Sequence, residues 1–230
     1  VSNGSRAAAD GYTLVYGTNG THAINQTLYK NPGFDPIKDF EPITRLSRIA
    51  ALLVVRPGLQ VKSMKELLVE LKKNPGKYSF ASAGNGTTSH LAGETLKAQA
   101  GLAVVHIPYR GGAAAITDVI ADRIDFMIDV MPNTAPHVRN GRLKGLAVST
   151  LQRVCSFPDI PTIAESGVPG FDVSAWDALF APAGTPPAVL EKVGQAMQKI
   201  LADESLKQQL SSRGSESSPT THTSLIKSQP

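Results

Sequence analysis

The segment Gly84-Asn85-Gly86-Thr87-Thr88-Ser89-His90 joins two glycines, an amide and three consecutive hydroxyls. Glycine permits a sharp turn, and a run of Thr and Ser is the composition of a helix start. The first amides of a helix have no carbonyl partner within it and carry the positive end of its dipole. With Thr87, Thr88 and Ser89 adding donors, the segment suits a carboxylate or phosphate oxygen. Each such contact is worth roughly 0.3–1 kcal/mol when exposed and about 2 kcal/mol when partly buried. The competing reading is that the hydroxyls only cap the helix. The spacing Gly84-x-Gly86-x-x-Ser89 lacks the third glycine of a dinucleotide fingerprint.

A second segment, Thr18-Asn19-Gly20-Thr21-His22, also follows a predicted strand and offers hydroxyl, amide and backbone donors in a loop. Pro108-Tyr109-Arg110-Gly111-Gly112 leaves a third predicted strand, and Asp129 stands at the end of a fourth. In open parallel sheets ligands bind beyond the carboxyl ends of strands, so these segments are expected to share one cleft. Tyr109 reads equally as a core or rim aromatic, and Arg110 as a solvated charge or an anion clamp.

Other chemistries find little support. No two of the histidines 22, 90, 106, 137 and 222 stand three or four apart, so no metal site is expected. No Gly-x-Ser-x-Gly elbow occurs, and no catalytic residue is assigned. Cys155, the only cysteine, excludes an intramolecular disulfide framework and a multi-cysteine metal site. The net charge of +4 comes from 23 basic and 19 acidic residues without a long run of one sign. That pattern argues against a nucleic-acid surface and favours anionic ligands only weakly. No segment has the length and apolarity of a membrane span, and no cofactor is expected.

The elements that must position these residues alternate. Strands are predicted at 12–17, 49–55, 78–83, 103–107, 124–130, 143–149 and 171–180. The apolar run 49–55 reads as a buried parallel strand, and 31–42, with Pro32, Pro36 and Pro42, as a connection. A helix capped by Ser63 and Glu66 carries Leu67, Leu68 and Leu71 and stops at Asn74-Pro75-Gly76. The next runs from about Ser89 to Gly101 with Leu91 and Leu96 inward. Further helices are expected at 113–121, at 134–141, briefly after Thr162-Ile-Ala-Glu165, from Thr185-Pro-Pro onward with Val189, Val193, Met197 and Ile200, and around Leu206 and Leu210. Alternation of this length means βαβ units, a mostly parallel sheet and an α/β fold class. Half of residues 211–230 are Ser or Thr, so that end is expected to be loosely ordered or a frayed closing segment.

Longer strings carry a resemblance. They include Asp10-Gly-Tyr-Thr-Leu14, Gly17-Thr-Asn-Gly-Thr-His22, Asp39-Phe-Glu-Pro-Ile43 and Phe80-Ala-Ser-Ala-Gly-Asn-Gly-Thr-Thr-Ser-His-Leu-Ala-Gly-Glu94. Pro108-Tyr-Arg-Gly-Gly112, Pro158-Asp-Ile-Pro-Thr-Ile-Ala-Glu-Ser-Gly167 and Trp176-Asp-Ala-Leu-Phe-Ala-Pro-Ala-Gly-Thr-Pro186 complete the set. In this order, from about Ala7 to Gly214, the chain resembles the substrate-binding receptors of tripartite tricarboxylate transporters.

The resemblance implies a two-lobed type II periplasmic-binding-protein fold with the cleft between lobes. Residues 1–50 plus 175–230 would form the first lobe and 51–174 the second, hinged near Ile49–Val55 and Ala175–Phe180. It implies a periplasmic, monomeric receptor that hands a di- or tricarboxylate, amino acid or aromatic acid to a membrane permease without catalysis. The segment matching Gly84–Ser89 would hold one carboxylate, Thr18–His22 would line the same cleft, and Asp129 would lie near the ligand. The family's preceding strand, Pro-Gly-Gly-type loop and helix are expected to be missing ahead of Val1, and Leu225-Ile226-Lys227 to be a remnant of its closing helix. Two alternatives stand beside this: the effector-binding domain of a transcription regulator, and an α/β enzyme acting on a carboxylate.

Overall fold

Six consecutive apolar residues, Ala50–Val55, have 5% or less of their surface exposed. A strand buried this fully needs cover on both faces, and its alternation shows where the cover lies. Leu53 and Val55 point into a core with Leu67, Leu71, Phe80, Leu96 and Phe126. Leu52 and Val54 point the other way, into a core with Ile116, Val119, Met127 and Met131. The computed structural model describes residues 1–220. Leu225-Ile226-Lys227 and His222 lie outside the described residues. The described residues divide into two compact units: Val1–Arg48 with Ala175–Ser211 and the residues from Ser215 onward, and Ile49–Ser174 with Ser212–Gly214.

In the second unit the elements are the latter part of β2 (Phe40–Val55), α2 (Met64–Lys73), β3 (Ser79–Ser82), α3 (Thr88–Ala100), β4 (Val105–Pro108), α4 (Gly112–Ile120), β5 (Phe126–Val130), α5 (Met131–Arg139) and β6 (Lys144–Val148). The strands lie in the order β4-β3-β5-β2-β6. β3 is parallel to both β4 and β5, while β2 is antiparallel to β5 and β6. Four of these five strands thus run one way. β2 is the exception, a correction to the parallel strand expected at 49–55: its apolar run reflects cover on both faces, which does not depend on strand direction.

In the first unit β1 (Val15–Thr18) is antiparallel to β7 (Ser174–Pro182), so the mostly parallel sheet expected there is not found in this pair. Some 160 residues separate the two strands, and no βαβ crossover dictates their direction. α6 (Pro187–Leu201) buries Leu190 and Leu201, while Ile200 stays exposed. α7 (Glu204–Ser212) follows. Ser215–Ser217 forms β8 beside β2, and Arg45 Nη2 donates to Ser218 Oγ at 2.6 Å. The Ser/Thr-rich end is therefore tied down at least as far as Thr220, whose carbonyl accepts from Thr44 Oγ1 at 2.8 Å.

Three local expectations change. β2 begins at Phe40, so Pro42 lies inside a strand, close to its first residue, where a missing ladder donor is tolerated. Gly20–Ile24 is a wide helical turn leading into α1 (Asn25–Leu28), not an open loop. After Thr162 there is a turn and no helix. The reciprocal pair is nevertheless made, Thr162 N–H to Glu165 Oε2 at 2.7 Å and Glu165 N–H to Thr162 Oγ1 at 2.9 Å.

Candidate functional site

Parallel register gathers the site in the second unit. Ser82 is level with Pro108 across β3 and β4, and Phe80 with Phe126 across β3 and β5. The segments that leave the three strands, 83–87, 109–111 and the β5–α5 junction, therefore emerge at one edge. α3, α4 and α5 start there.

The first segment is braced from behind. Gly84 (φ 128°) and Gly86 (φ 76°) adopt conformations that other residues rarely reach, and a Cβ on Gly84 would sit 3.1 Å from the Tyr109 carbonyl. Tyr109 N–H donates to Ser82 O and Gly111 N–H to Ala83 O, both at 3.0 Å. Gly84 N–H donates to Ser82 Oγ at 3.2 Å, and that hydroxyl also meets His106 Nε2 at 2.7 Å. Gly86 N–H donates to His90 Nδ1 at 3.2 Å. His90 in turn stacks on His106, with ring centroids 4.3 Å apart.

The three hydroxyls divide their roles. Thr87 is the cap: its Oγ1 donates to Gly84 O at 2.7 Å and accepts from His90 N–H at 3.3 Å. Thr88 is buried at the first position of α3. Ser89 is 1% exposed, and its Oγ has no hydrogen-bond partner among the described residues. A buried hydroxyl left this way costs about 1–3 kcal/mol, and it lies beside the first-turn amides, which have no intrahelical acceptor. Asn85 is exposed.

Tyr109 and Asp129 sit at the same edge with different commitments. The Tyr109 ring packs against the core between the sheet and α4. Its hydroxyl donates to Asp118 Oδ2 at 2.7 Å, and burial with that bond pushes the phenol up to about 12. Its polar end is thus engaged within α4's surroundings. Asp129 is 3% exposed and accepts from Asn133 Nδ2 at 2.9 Å. A Cβ on Gly112 would stand 2.6 Å from Asp129 Oδ2, which places the carboxyl against the start of α4. Burial raises its pKa above the ordinary carboxylate range. Arg110 is exposed.

In the first unit Thr18 and Thr21 close on each other. Thr18 N–H donates to Thr21 Oγ1 at 2.9 Å, and Thr21 Oγ1 meets His22 Nδ1 at 2.9 Å. The His22 ring stacks on Phe180 at 3.9 Å and is 3% exposed; Phe40 packs against its edge. Burial lowers its pKa to about 4, and Nε2 has no partner among the described residues. Gly17 leaves room for this ring, which a Cβ would meet. The side chains of Thr21 and His22 thus serve the turn and its aromatic core, and Gly20 lies in the helical turn itself.

Sequence reasoning passed over the imidazole pair behind the Gly84–Ser89 segment. His90 carried a signal, four residues after Gly86 and three after the capping Thr87. His106 carried none, because only strand pairing brings it to Ser82. His90, Glu94 and His106 present ligand-type atoms within 4.8 Å of one another. Considering only spacings between histidines had excluded such a group.

Residues 2–227 match the family described as "Tripartite tricarboxylate transporter family receptor". The chain belongs to this family. As a member of the tripartite tricarboxylate transporter receptors, it is 36% identical over 199 residues to the UPF0065 protein in the tcbD-tcbE intergenic region of Pseudomonas sp. (strain P51), covering 86% of this chain and 59% of that protein. It thus spans about three fifths of the length of the curated relatives it matches. Among solved structures, R. palustris Rpa4515 with adipate superposes with a TM-score of 0.93 at 31% identity, covering 98% of this chain and 76% of that one. MatC (Rpa3494) from Rhodopseudomonas palustris with bound malate gives a TM-score of 0.82 at 30% identity, covering 94% and 74%. No helix among the described residues is long and apolar enough to cross a membrane.

Proposed function

We propose that this receptor-family chain captures a small dicarboxylate outside the cytoplasm, in the periplasm, and passes it unchanged to a membrane permease. The observation that carries the reading is the buried, unpartnered hydroxyl of Ser89 at the start of α3. A carboxylate oxygen accepts hydrogen bonds from such a hydroxyl and from the adjacent first-turn amides, and the positive helix end favours its charge. The family relatives solved with adipate and with malate support a dicarboxylate of four to six carbons. Thr88 belongs to the same proposed contact, and Asp129 and Tyr109 to its surroundings. Thr18–His22 enter the proposal through Asn19 and the backbone of Gly20.

A receptor needs no turnover, and the hydroxyl–imidazole pair behind the Gly84–Ser89 segment offers none. Ser82 Oγ lies 2.7 Å from His106 Nε2, the geometry of a nucleophile with its base, but Ser82 is fully buried and no substrate can reach it. The enzyme reading therefore gains nothing from it. Monomeric capture by hinge closure, with the lobe boundaries 1–50 plus 175–230 and 51–174, is part of the same proposal; X-ray scattering with and without dicarboxylate tests it.

Isothermal titration with malate, succinate and adipate tests the function directly. Ser89→Ala is expected to weaken the best ligand by about five- to thirtyfold, the worth of roughly 1–2 kcal/mol. An unchanged affinity in that variant overturns the assignment of this hydroxyl, and turnover of any of the acids overturns the receptor reading.

A further inference from the structure

We propose that His90, Glu94 and His106 form a binding site for a divalent transition-metal ion of the zinc class. Their ligand-type atoms lie within 4.8 Å of one another. Tetrahedral zinc, with bonds of about 2.0–2.2 Å, sets its ligands roughly 3.4 Å apart, so the side chains need to close by little more than 1 Å. Backbone position favours this. His90 and Glu94 stand one helical turn apart on one face of α3. His106 sits on β4 with its ring stacked on that of His90, centroids 4.3 Å apart, and the two rings tilt out of that stack to turn their in-plane lone pairs on one ion. Two imidazoles and one carboxylate are a donor set that zinc, nickel and copper(II) accept.

The surroundings assign the nitrogens. His106 Nε2 faces Ser82 Oγ at 2.7 Å, which leaves Nδ1 for a metal and fixes the ring as an outer-shell partner does. The Glu94 carboxylate is held by Lys97 Nζ, 2.8 Å from each oxygen. A pair this exposed contributes little, and a dication competes with it readily.

On His90, Nδ1 accepts the Gly86 amide, so the proton of the neutral ring is on Nε2. A metal at Nε2 moves that proton to Nδ1. Two N–H groups then face each other, and the Gly86 bond is lost. A metal at Nδ1 displaces the same amide directly. Gly86 thus reports metal binding at His90 in either case, and this holds whether or not the neighbouring segment binds a carboxylate.

The experiment titrates zinc or nickel chloride into the EDTA-treated full chain. Calorimetry gives affinity, and the Gly86 amide resonance is followed by NMR. One equivalent is expected to bind with a shift of that resonance. His106→Ala is expected to weaken binding by more than the roughly 10–100-fold that loss of an outer-shell partner costs. Glu94→Gln, whose side chain is partly exposed, gives a weakening in the same sense should His106→Ala unfold. Equal affinity in wild type and variants, or a Gly86 amide unmoved at saturation, overturns the proposal.

Discussion

Replacing Ser89 separates stability from recognition. Its hydroxyl is buried without a partner among the described residues, so Ser89→Ala removes a desolvated polar group. The unliganded variant is expected to melt at the same temperature as wild type or higher, by up to about 2 kcal/mol. Differential scanning calorimetry of the apo protein checks this, and a clear destabilisation would show the hydroxyl to be satisfied. His22 gives a pH dependence. Its unfolded imidazole takes a proton near 6.5, whereas the buried ring resists until about 4. The associated stability is present above pH 6.5 and is lost as pH falls toward 4, roughly 3 kcal/mol in all. Urea midpoints between pH 7.5 and 4 should fall less steeply in His22→Phe. Composition displayed the hydroxyls of Thr87, Thr88 and Ser89 but not which of them caps. That depends on the residue at which the helix starts, and a shift of one position exchanges the roles. Leu91 shows the same sensitivity: it is exposed, and Ala92 and Gly93 take the inward places.

At the scale of the element, Gly93 sets α3 against its sheet. Helix propensity favours alanine over glycine by about 1 kcal/mol, yet a Cβ there would run into the Phe80 ring. That ring is fully buried and stacked between Phe126 and His106, so it cannot yield. Gly93→Ala is expected to cost a net 1–3 kcal/mol, measurable by chemical denaturation; a stabilised variant would show that α3 moves away freely. Thr162 and Glu165 show where local signals stop. They make both bonds of a capping pair, but no helix follows, because Val168 and Phe171 turn into the core within a few residues. Ser63 shows the opposite case: its hydroxyl accepts from Glu66 N–H and α2 follows, with Leu67, Leu68 and Leu71 buried as their spacing requires. Apolar periodicity located β2 but left its direction undetermined, since a strand covered on both faces reads alike either way.

For the whole molecule, alternation of strands and helices sufficed to read an α/β class. The antiparallel pairing of β1 with β7 had no local sign, because the two are brought together only by the long-range course of the chain. Ligand binding to the folded state alone stabilises it by mass action. A dicarboxylate at 100 times its Kd is expected to add about 2.7 kcal/mol, read as a rise in melting temperature. Absence of any rise across four- to six-carbon diacids would remove that ligand class. The lone hydroxyl of Ser89 also bears on how such a protein is engineered. Libraries ranked by heat resistance, and sequences averaged for robustness, both reward filling that position with alanine. If Ser89 holds the carboxylate as proposed, they would return sturdier molecules deaf to that acid, so any hardening of this scaffold for use as a sensor should hold position 89 fixed.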